Sequence, residues 1–327
     1  MLVDKIVSCW GKNNQGELRD GDFLDSAFAV PVVGVTNVAS LAVGIGYGYT
    51  CALLESGFVE CWGSNQYGQR GVGDVAARSY ATTVTHADGA PFHDVKSLSG
   101  GYHHRCAVVA NGALWCWGNN GAGRIGGGGG GANAVSPTAV LGADGTPVRT
   151  AQSVHCGQGH TCAVLGDDTV WCWGRTDDWQ LGVGSYTDTD ALTVPVANLE
   201  NVQSLSVGIA HNCALLGNAT LRCWGGSSQG SLGVGDSTDR APPVTVTAVG
   251  GVSCGYRYTC AVGAHDDSFR CWGGNYQYQL GLDGPNTKRL VPTVVFGIKM
   301  LLRECACCDT RMQLMGLNVE RCVVPVN

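Results

Sequence analysis

The chain has 327 residues, of which 14% are charged, 44% are hydrophobic and 50 are glycine. This balance favours many short buried strands joined by tight turns over amphipathic helices, so we expect an all-β protein. The formal net charge is −6, and lysine is scarce, which argues against nucleic acid as a partner because little surface could follow a phosphate backbone.

The first residues, Met1 to Lys5, lack the features of a secretory signal, which are a basic start, a long apolar core and a small-residue cleavage site. The 17 cysteines nevertheless favour an oxidising compartment. We therefore expect that the chain has been trimmed or starts inside a longer gene.

The first long apolar stretch, residues 27–45, is hydrophobic enough to resemble a membrane span. It contains Pro31 and Gly34, and a similar pattern, LTVPVANLENVQSLSVG, comes before Cys213. The stretch therefore predicts strands, and no membrane span is expected.

One motif recurs along the whole chain. The triplet Cys-Trp-Gly occurs at Cys9, Cys61, Cys116, Cys172, Cys223 and Cys271. A Cys-Ala pair precedes five of these triplets, at Cys51, Cys106, Cys162, Cys213 and Cys260. A glycine-rich turn and a Pro/Val/Thr segment follow each triplet. An eroded seventh copy ends at Cys322, with Met312 where Cys-Ala should begin.

A repeat of about 50 residues with about four short strands has the length of a propeller blade. Helical repeats are excluded because each unit carries several glycines and β-branched runs and shows no apolar stripe with a 3.6-residue period. One blade cannot bury both of its faces, so the units must stack on one another, and closure into a ring protects the ends. The predicted fold is a β-propeller of four-stranded blades.

Residues 160–184, HTCAVLGDDTVWCWGRTDDWQLGVG, resemble the regulator of chromosome condensation repeat in its cysteine-bearing bacterial form. The resemblance extends over the whole chain and implies one seven-bladed propeller domain covering residues 1–327. We count six full units, at about 12–63, 64–118, 119–174, 175–225, 226–273 and 274–323. Residues 1–11 supply a lone strand of a first blade, which is either incomplete or completed by the C-terminal end.

The two cysteines of each repeat are predicted to face each other across a hairpin. If residues 55–57 form a three-residue loop with Gly57 in the left-handed conformation, Cys51 comes directly opposite Cys61. The last hairpin is one residue longer, and a four-residue loop at 264–267 restores the same register. The predicted disulfides are Cys51 to Cys61, Cys106 to Cys116, Cys162 to Cys172, Cys213 to Cys223, and Cys260 to Cys271.

Two alternatives to disulfides stay open for these ten cysteines. They are reduced residues of the core, or they form a functional site. Zinc sites usually combine two close cysteine pairs, whereas each blade supplies one pair. The compact cluster CACC near the C terminus has the wrong spacing for a zinc knuckle, and the odd total leaves at least one cysteine unpaired within the chain. The redox state is open for Cys9, Cys156, Cys254, Cys305, Cys307, Cys308 and Cys322.

Three histidines near cysteines could suggest catalysis. His104, His160 and His211 each lie two residues before a Cys-Ala pair, where other copies have Tyr49 and Tyr258. A position that repeats in this way belongs to the scaffold, so we expect structural hydrogen bonding.

The tryptophan of each triplet is expected to fill the space between neighbouring blades. Trp115 and Trp171 lie two residues earlier and occur in only two copies, which makes them candidates for an exposed contact. The six-glycine run at 126–131 lacks the Gly-Lys-Ser/Thr signature of a phosphate loop and is interpreted as an expanded turn. Acidic pairs such as Asp167-Asp168 are interpreted as solvated turn residues.

We therefore predict a non-enzymatic, monomeric propeller with no catalytic, cofactor or metal site, whose loops on one face bind a protein or a surface ligand. Its expected location is extracellular, cell-surface or periplasmic. The alternative is a cytoplasmic guanine-nucleotide exchange factor for a small GTPase, which resemblance to the eukaryotic family members implies. No exchange-factor residue can be carried over, because the matched positions are all scaffold positions.

Overall fold

The computed structural model describes residues 2–3, 6–43, 48–129, 131–192, 195–266, 268–282, 284 and 287–295. These residues form strands and turns, and the one helix within the described ranges is a 3-10 turn at Gly121–Gly123. The prediction of an all-β protein is confirmed. The CACC cluster, Met312 and Cys322 lie outside the described residues.

The described residues group into two compact units, one within Met1–Asp177 and Ser185–Val196 and the other within Asp178–Gly184 and Ala197–Asn327. The strands of the first unit are β1 (Leu2–Val3), β2 (Ile6–Gly11), β3 (Ser26–Pro31), β4 (Val38–Val43), β5 (Tyr49–Leu54), β6 (Val59–Gly63), β7 (Arg78–Thr83), β8 (Val95–Gly100), β9 (His104–Val109), β10 (Leu114–Gly118), β11 (Ala134–Ala139), β12 (Ala151–Cys156), β13 (His160–Leu165) and β14 (Val170–Gly174). The strands of the second unit are β15 (Val202–Val207), β16 (His211–Leu216), β17 (Thr220–Gly225), β18 (Arg240–Cys254), β19 (Tyr258–Gly263), β20 (Phe269–Gly273) and β21 (Arg289–Val294).

Consecutive strands pair in antiparallel fashion to form small sheets. In the first unit, β4 to β7 and β8 to β11 form four-stranded sheets, and β12 to β14 form a three-stranded sheet. Bridges from Trp171 to Pro195 and from Gly174 to Thr189 extend this last sheet. In the second unit, β15 to β21 form one continuous sheet, because β18 is 15 residues long and pairs with both β17 and β19.

The first sheet differs from the sequence-based expectation. The strand that holds Cys9 is not alone, because Leu2–Val3 and Ser26–Pro31 pair with its two sides. Two sheets are also offset from the predicted repeat units, since β7 and β11, which follow the triplets at Cys61 and Cys116, are the last strands of the sheets that hold those triplets. Residues 27–45 contribute to β3 and β4, as predicted.

The hairpins have the predicted register. Cys51 pairs with Cys61, and Gly57 closes the loop with a φ of 81°. Only glycine adopts this left-handed conformation without strain, yet Asp168 and Ala219 hold the same position in two other hairpins, with φ of 61° and 64°.

Disulfide bonds join the five cysteine pairs, and the ten cysteines are buried. The Cα atoms of each pair are 4.1 Å apart, which fits the closer, non-hydrogen-bonded kind of cross-strand pair. Among the described cysteines, Cys9, Cys156 and Cys254 carry no disulfide.

The triplet tryptophans pack between successive repeats within each unit. Trp62, Trp117, Trp173, Trp224 and Trp272 are fully buried. Each indole Nε1–H donates to a backbone carbonyl in the turn that follows the preceding triplet, as Trp117 does to Gln69 O at 3.1 Å. Gly71 in that turn has no space for a side chain, because a Cβ would lie 2.6 Å from Nε1 of Trp117. Trp10 differs, since it is 38% exposed.

Candidate functional site

In the first unit, loops at one end of the strands carry aromatic and arginine side chains. In a four-stranded antiparallel sheet, the loop from the first to the second strand and the loop from the third to the fourth lie at the same end of the strands. Five side chains on such loops, or directly after the last strand of a sheet, form what we call the loop patch. They are Tyr67, Tyr102, His103, Arg124 and Arg175.

His103 lies at the centre of the aromatic part of the loop patch. Its ring centroid is 4.5 Å from that of Tyr67 and 4.7 Å from that of Tyr102. Burial, aided by the nearby charge of Arg124, lowers the pKa of His103 to about 4. His103 is therefore neutral at physiological pH, and the three rings form a packed, uncharged surface with both tyrosines partly exposed.

The positive charge of the loop patch comes from its two arginines. Arg124 donates from Nε to Gly121 O at 2.7 Å and from Nη1 to Gln158 O at 3.1 Å. Burial, followed by repulsion from Arg175, lowers the pKa of Arg124 from its usual value. Arg175 is exposed and forms an ion pair with Asp177. Two carbonyls thus fix the Arg124 guanidinium beside the aromatic rings.

The second unit carries its own exposed aromatic side chains on equivalent loops. Tyr256, Tyr276 and Tyr278 are 47%, 48% and 56% exposed. The guanidinium carbon of Arg257 lies 5.7 Å from the ring centroid of Tyr256. Tyrosine and arginine therefore recur at this loop position of both units, each unit taken by itself.

The two tryptophans predicted as exposed contacts lie elsewhere. Trp115 on β10 is partly buried, with its ring centroid 5.3 Å from that of His86 and 6.1 Å from that of Phe92. Trp171 on β14 is also partly buried, and its Nε1–H donates to Thr169 Oγ1 at 2.9 Å. Neither belongs to the loop patch, and their role as contacts stays a prediction.

Two of the three repeated histidines, His104 and His211, make hydrogen bonds of the structural kind that was expected. Nε2 of His104 is 2.9 Å from Thr161 Oγ1, and Nε2 of His211 is 2.9 Å from Thr259 Oγ1. In each case the threonine lies in the next Cys-Ala strand along the chain, so the bond links successive repeats. Tyr49, at the same repeat position, donates from its hydroxyl to Gly101 O at 2.5 Å.

Sequence reasoning missed the loop patch. Its residues occupy the variable positions of otherwise regular turns, where the repeat pattern marks no particular side chain. The signal that could have found them is the presence of tyrosine and arginine at turn positions where glycine, asparagine or serine would suffice.

Comparison with known proteins agrees with the repeats seen in the sequence and the sheets. Two family models, both described as regulator of chromosome condensation (RCC1) repeat, match residues 41–69, 95–124 and 152–178 in one case and residues 111–164 in the other. The protein is thus of the β-propeller class. More particularly, residues 41–69 and 95–178 of the chain match the regulator of chromosome condensation repeat.

Curated relatives share this region. The ultraviolet-B receptor UVR8 of Arabidopsis thaliana is 29% identical over 270 residues, which cover 80% of this chain and 60% of that protein. The human E3 ubiquitin-protein ligase HERC2 is 30% identical over 275 residues, which cover 80% of this chain but 5% of that protein. The chain thus spans 60% of one relative and a small part of the other.

Solved structures give the same fold. The crystal structure of human WBSCR16 aligns with a TM-score of 0.72 at 21% identity, covering 89% of this chain and 76% of that chain. Yeast RCC1 (Prp20), solved bound to Kap60, aligns with a TM-score of 0.54 at 20% identity, covering 90% and 84%. The predicted β-propeller fold is confirmed, while the number of blades stays a prediction. Within the described residues, no helix has the length and apolar character needed to cross a membrane.

Proposed function

We propose that this protein is a non-enzymatic propeller scaffold that binds another protein through the loop patch. The observation that carries the proposal is the packing of Tyr67 and Tyr102 on His103 beside Arg124. Tyrosine and arginine are enriched at the energetic centres of protein interfaces. Side chains that are already fixed lose little conformational entropy when a partner binds.

The charge of the loop patch indicates the kind of partner. The chain as a whole is acidic, with a formal charge of −6, yet the loop patch contributes two arginines, of which Arg175 forms an ion pair with Asp177, and a neutral histidine. Complementary charge speeds association and selects among partners. We therefore expect the partner to present an acidic surface.

The relatives support protein binding as the role of the scaffold. Yeast RCC1 was solved in complex with Kap60, and a second title describes binding of Prp20p to Gsp1p and histones. These partners belong to the yeast protein. The ligase name of HERC2 gives no reason to expect catalysis, because the aligned region is 5% of that protein.

We further propose that the protein works in an oxidising compartment outside the cytoplasm. Five buried disulfides within hairpins support this location, because reducing compartments rarely leave such bonds intact.

The double variant Tyr67→Ser/Tyr102→Ser is expected to weaken partner binding at least about tenfold, because buried interface tyrosines commonly contribute more than about 1.4 kcal/mol. The partner is first captured from the native source with the wild-type chain and identified, and its affinity is then measured by calorimetry. Phe58→Ser is the matched control, because Phe58 lies in the loop between β5 and β6, at the opposite end of the strands from Tyr67. Its ring centroid there is 5.9 Å from that of His93. Equal affinity of the double variant and the wild type would refute the proposed surface.

The alternative function is nucleotide exchange on a small GTPase, which similarity to yeast RCC1 favours at the level of the fold. Release of a fluorescent guanine nucleotide from purified small GTPases distinguishes the two functions. Acceleration by the wild-type chain would establish exchange, whereas unchanged release together with stable partner binding supports the scaffold.

A further inference from the structure

A buried cluster of metal-ligating side chains includes His104, which directly follows His103 of the loop patch. A ring nitrogen of His104 and the Sγ atoms of Cys106 and Cys156 all lie within 4.8 Å of one another, and the three residues are buried. Cys106 is bonded to Cys116 on the neighbouring strand. A fourth potential ligand atom, Cys116 Sγ, therefore adjoins the same cluster.

The hydrogen bonds of His104 leave one nitrogen lone pair unused. Thr161 Oγ1 donates its proton to Arg124 O at 2.9 Å, so it must accept the hydrogen bond from Nε2 of His104. The lone pair of the neutral ring is then on Nδ1, which is buried without a hydrogen-bond partner. Metal-bound histidines show this same arrangement, in which one nitrogen donates to the protein and the other binds the metal.

Cys156 reaches this cluster from the sheet of the next repeat. Its backbone N–H donates to Ser99 Oγ at 3.0 Å, and its Sγ is 3.6 Å from Ser99 O. Ser99 itself pairs with Cys106 in the β-sheet register. The thiol of Cys156 is thus held against β8, at the residue that pairs with Cys106 of β9.

Arg105 places a buried positive charge next to the cluster. It is fully buried, its Nη1 donates to Ala42 O at 2.9 Å, and its Nε and Nη2 have no hydrogen-bond partner. Its guanidinium carbon lies 4.3 Å from the ring centroid of Tyr49. It interacts electrostatically with Cys156. A buried charge without a counterion is costly. Three thiolates, one neutral imidazole and one divalent cation carry a net charge of −1, which would balance this guanidinium.

We propose that reduction of the Cys106–Cys116 disulfide creates a site for a thiophilic divalent cation such as Zn²⁺, bound by Cys106, Cys116, Cys156 and His104. A dithiol reductant supplies two electrons and two protons to the sulfur–sulfur bond and becomes a disulfide itself. The cation then displaces the thiol protons into solvent and forms metal–sulfur bonds. Three sulfurs and one imidazole are a common ligand set of structural zinc.

The hairpin of β9 and β10 can therefore be cross-linked either by the Cys106–Cys116 disulfide or by the bound metal. In an oxidising compartment, the disulfide joins β9 to β10. In a reducing one, the metal joins the same strands and also ties them to β12 through Cys156. This inference concerns the scaffold and does not depend on which partner the loop patch binds.

The variant Cys116→Ser tests the other three ligands without a reductant, because it frees the Cys106 thiol, keeps Cys156 and His104, and leaves the other four disulfides in place. A water molecule then takes the fourth position on the cation, as it does in zinc sites with three protein ligands. Titration with Co²⁺ should give a thiolate-to-cobalt charge-transfer band with one cobalt per chain, which Zn²⁺ then displaces. The oxidised wild-type chain, which keeps every other cysteine of the variant, should give no such band.

Two further variants separate this site from the remaining cysteines. Adding Cys156→Ser or His104→Gln to Cys116→Ser should lower the cobalt affinity at least about tenfold. An unchanged band in either double variant would overturn the proposal, as would a folded Cys116→Ser protein without a band. Should Cys116→Ser fail to fold, the dithiol-reduced wild type provides the test. Zn²⁺ must raise its unfolding midpoint and must not raise that of reduced Cys156→Ser, and any other result refutes the site.

Discussion

Trp117→Ala is expected to lower the free energy of unfolding by about 4 kcal/mol, within the range observed for large-to-small changes at buried aromatic residues. The indole is fully buried, lies with its ring centroid 5.7 Å from that of Phe92, and donates from Nε1 to Gln69 O. Its removal leaves a cavity and an unpaired carbonyl. Denaturant unfolding followed by circular dichroism measures the loss.

Trp10→Ala is the matched control, because Trp10 has the same place in its triplet but is 38% exposed. It should cost less than about 1 kcal/mol. Trp117→Phe should lie between the two, since it keeps most of the apolar volume but removes the donor to Gln69 O. Similar losses at Trp117 and Trp10 would contradict the role of the buried indole as the link between repeats.

The double variant Cys213→Ala/Cys223→Ala is expected to lower the free energy of unfolding by about 3 kcal/mol. Without the disulfide, the unfolded chain regains the entropy that closure of a ten-residue loop had removed. Both cysteines are buried and lie directly opposite each other in β16 and β17. The loss is measured by denaturant unfolding without reductant. A fivefold repetition of this constraint would account for how a glycine-rich chain stays folded.

Cys254→Ala provides the comparison, because it removes a cysteine of the same unit that carries no disulfide. Its cost should stay near 1 kcal/mol, from the lost packing of the sulfur. If the double variant were no less stable than Cys254→Ala, the hairpin disulfide would contribute nothing and the stabilising role assigned to it would be wrong.

The hairpins could be predicted from sequence because their determinants are local. A spacing of ten residues and a three-residue loop suffice to place Cys51 opposite Cys61, and the one-residue insertion in the last hairpin is absorbed by its loop. The propeller class followed from the period of the repeat, since a unit of that length with several strands and no helical stripe has few other architectures.

For the tryptophans, the sequence predicted the kind of contact but not the residue that accepts each hydrogen bond. Packing between repeats was expected, but the acceptor of the Trp117 Nε1–H is 48 residues upstream, in a turn whose carbonyls no local pattern orients. The first sheet was misread for a related reason. Leu2–Val3 and Ser26–Pro31 lack the Cys-Ala and Cys-Trp-Gly landmarks, so their pairing with the strand of Cys9 left no mark in the repeat.

The loop patch and the buried cluster arise from contacts between sheets. Tyr67 and His103 come from loops of successive sheets, and Cys156 meets Cys106 across the boundary between β12 and β9. Such contacts depend on how neighbouring sheets pack, which the repeat pattern does not specify. Departures from the repeat, such as arginine at position 105 where other copies have threonine or asparagine, were the available signal.

The central claim is that disulfides hold the hairpins of this propeller, and mass-spectrometric peptide mapping of the unreduced protein tests it most directly. Protein isolated from its native source is alkylated under denaturing conditions and digested. The account predicts five linked peptide pairs, joining Cys51 to Cys61, Cys106 to Cys116, Cys162 to Cys172, Cys213 to Cys223 and Cys260 to Cys271, with alkylated Cys9, Cys156 and Cys254. Alkylation of the ten hairpin cysteines would contradict it and would favour an intracellular protein.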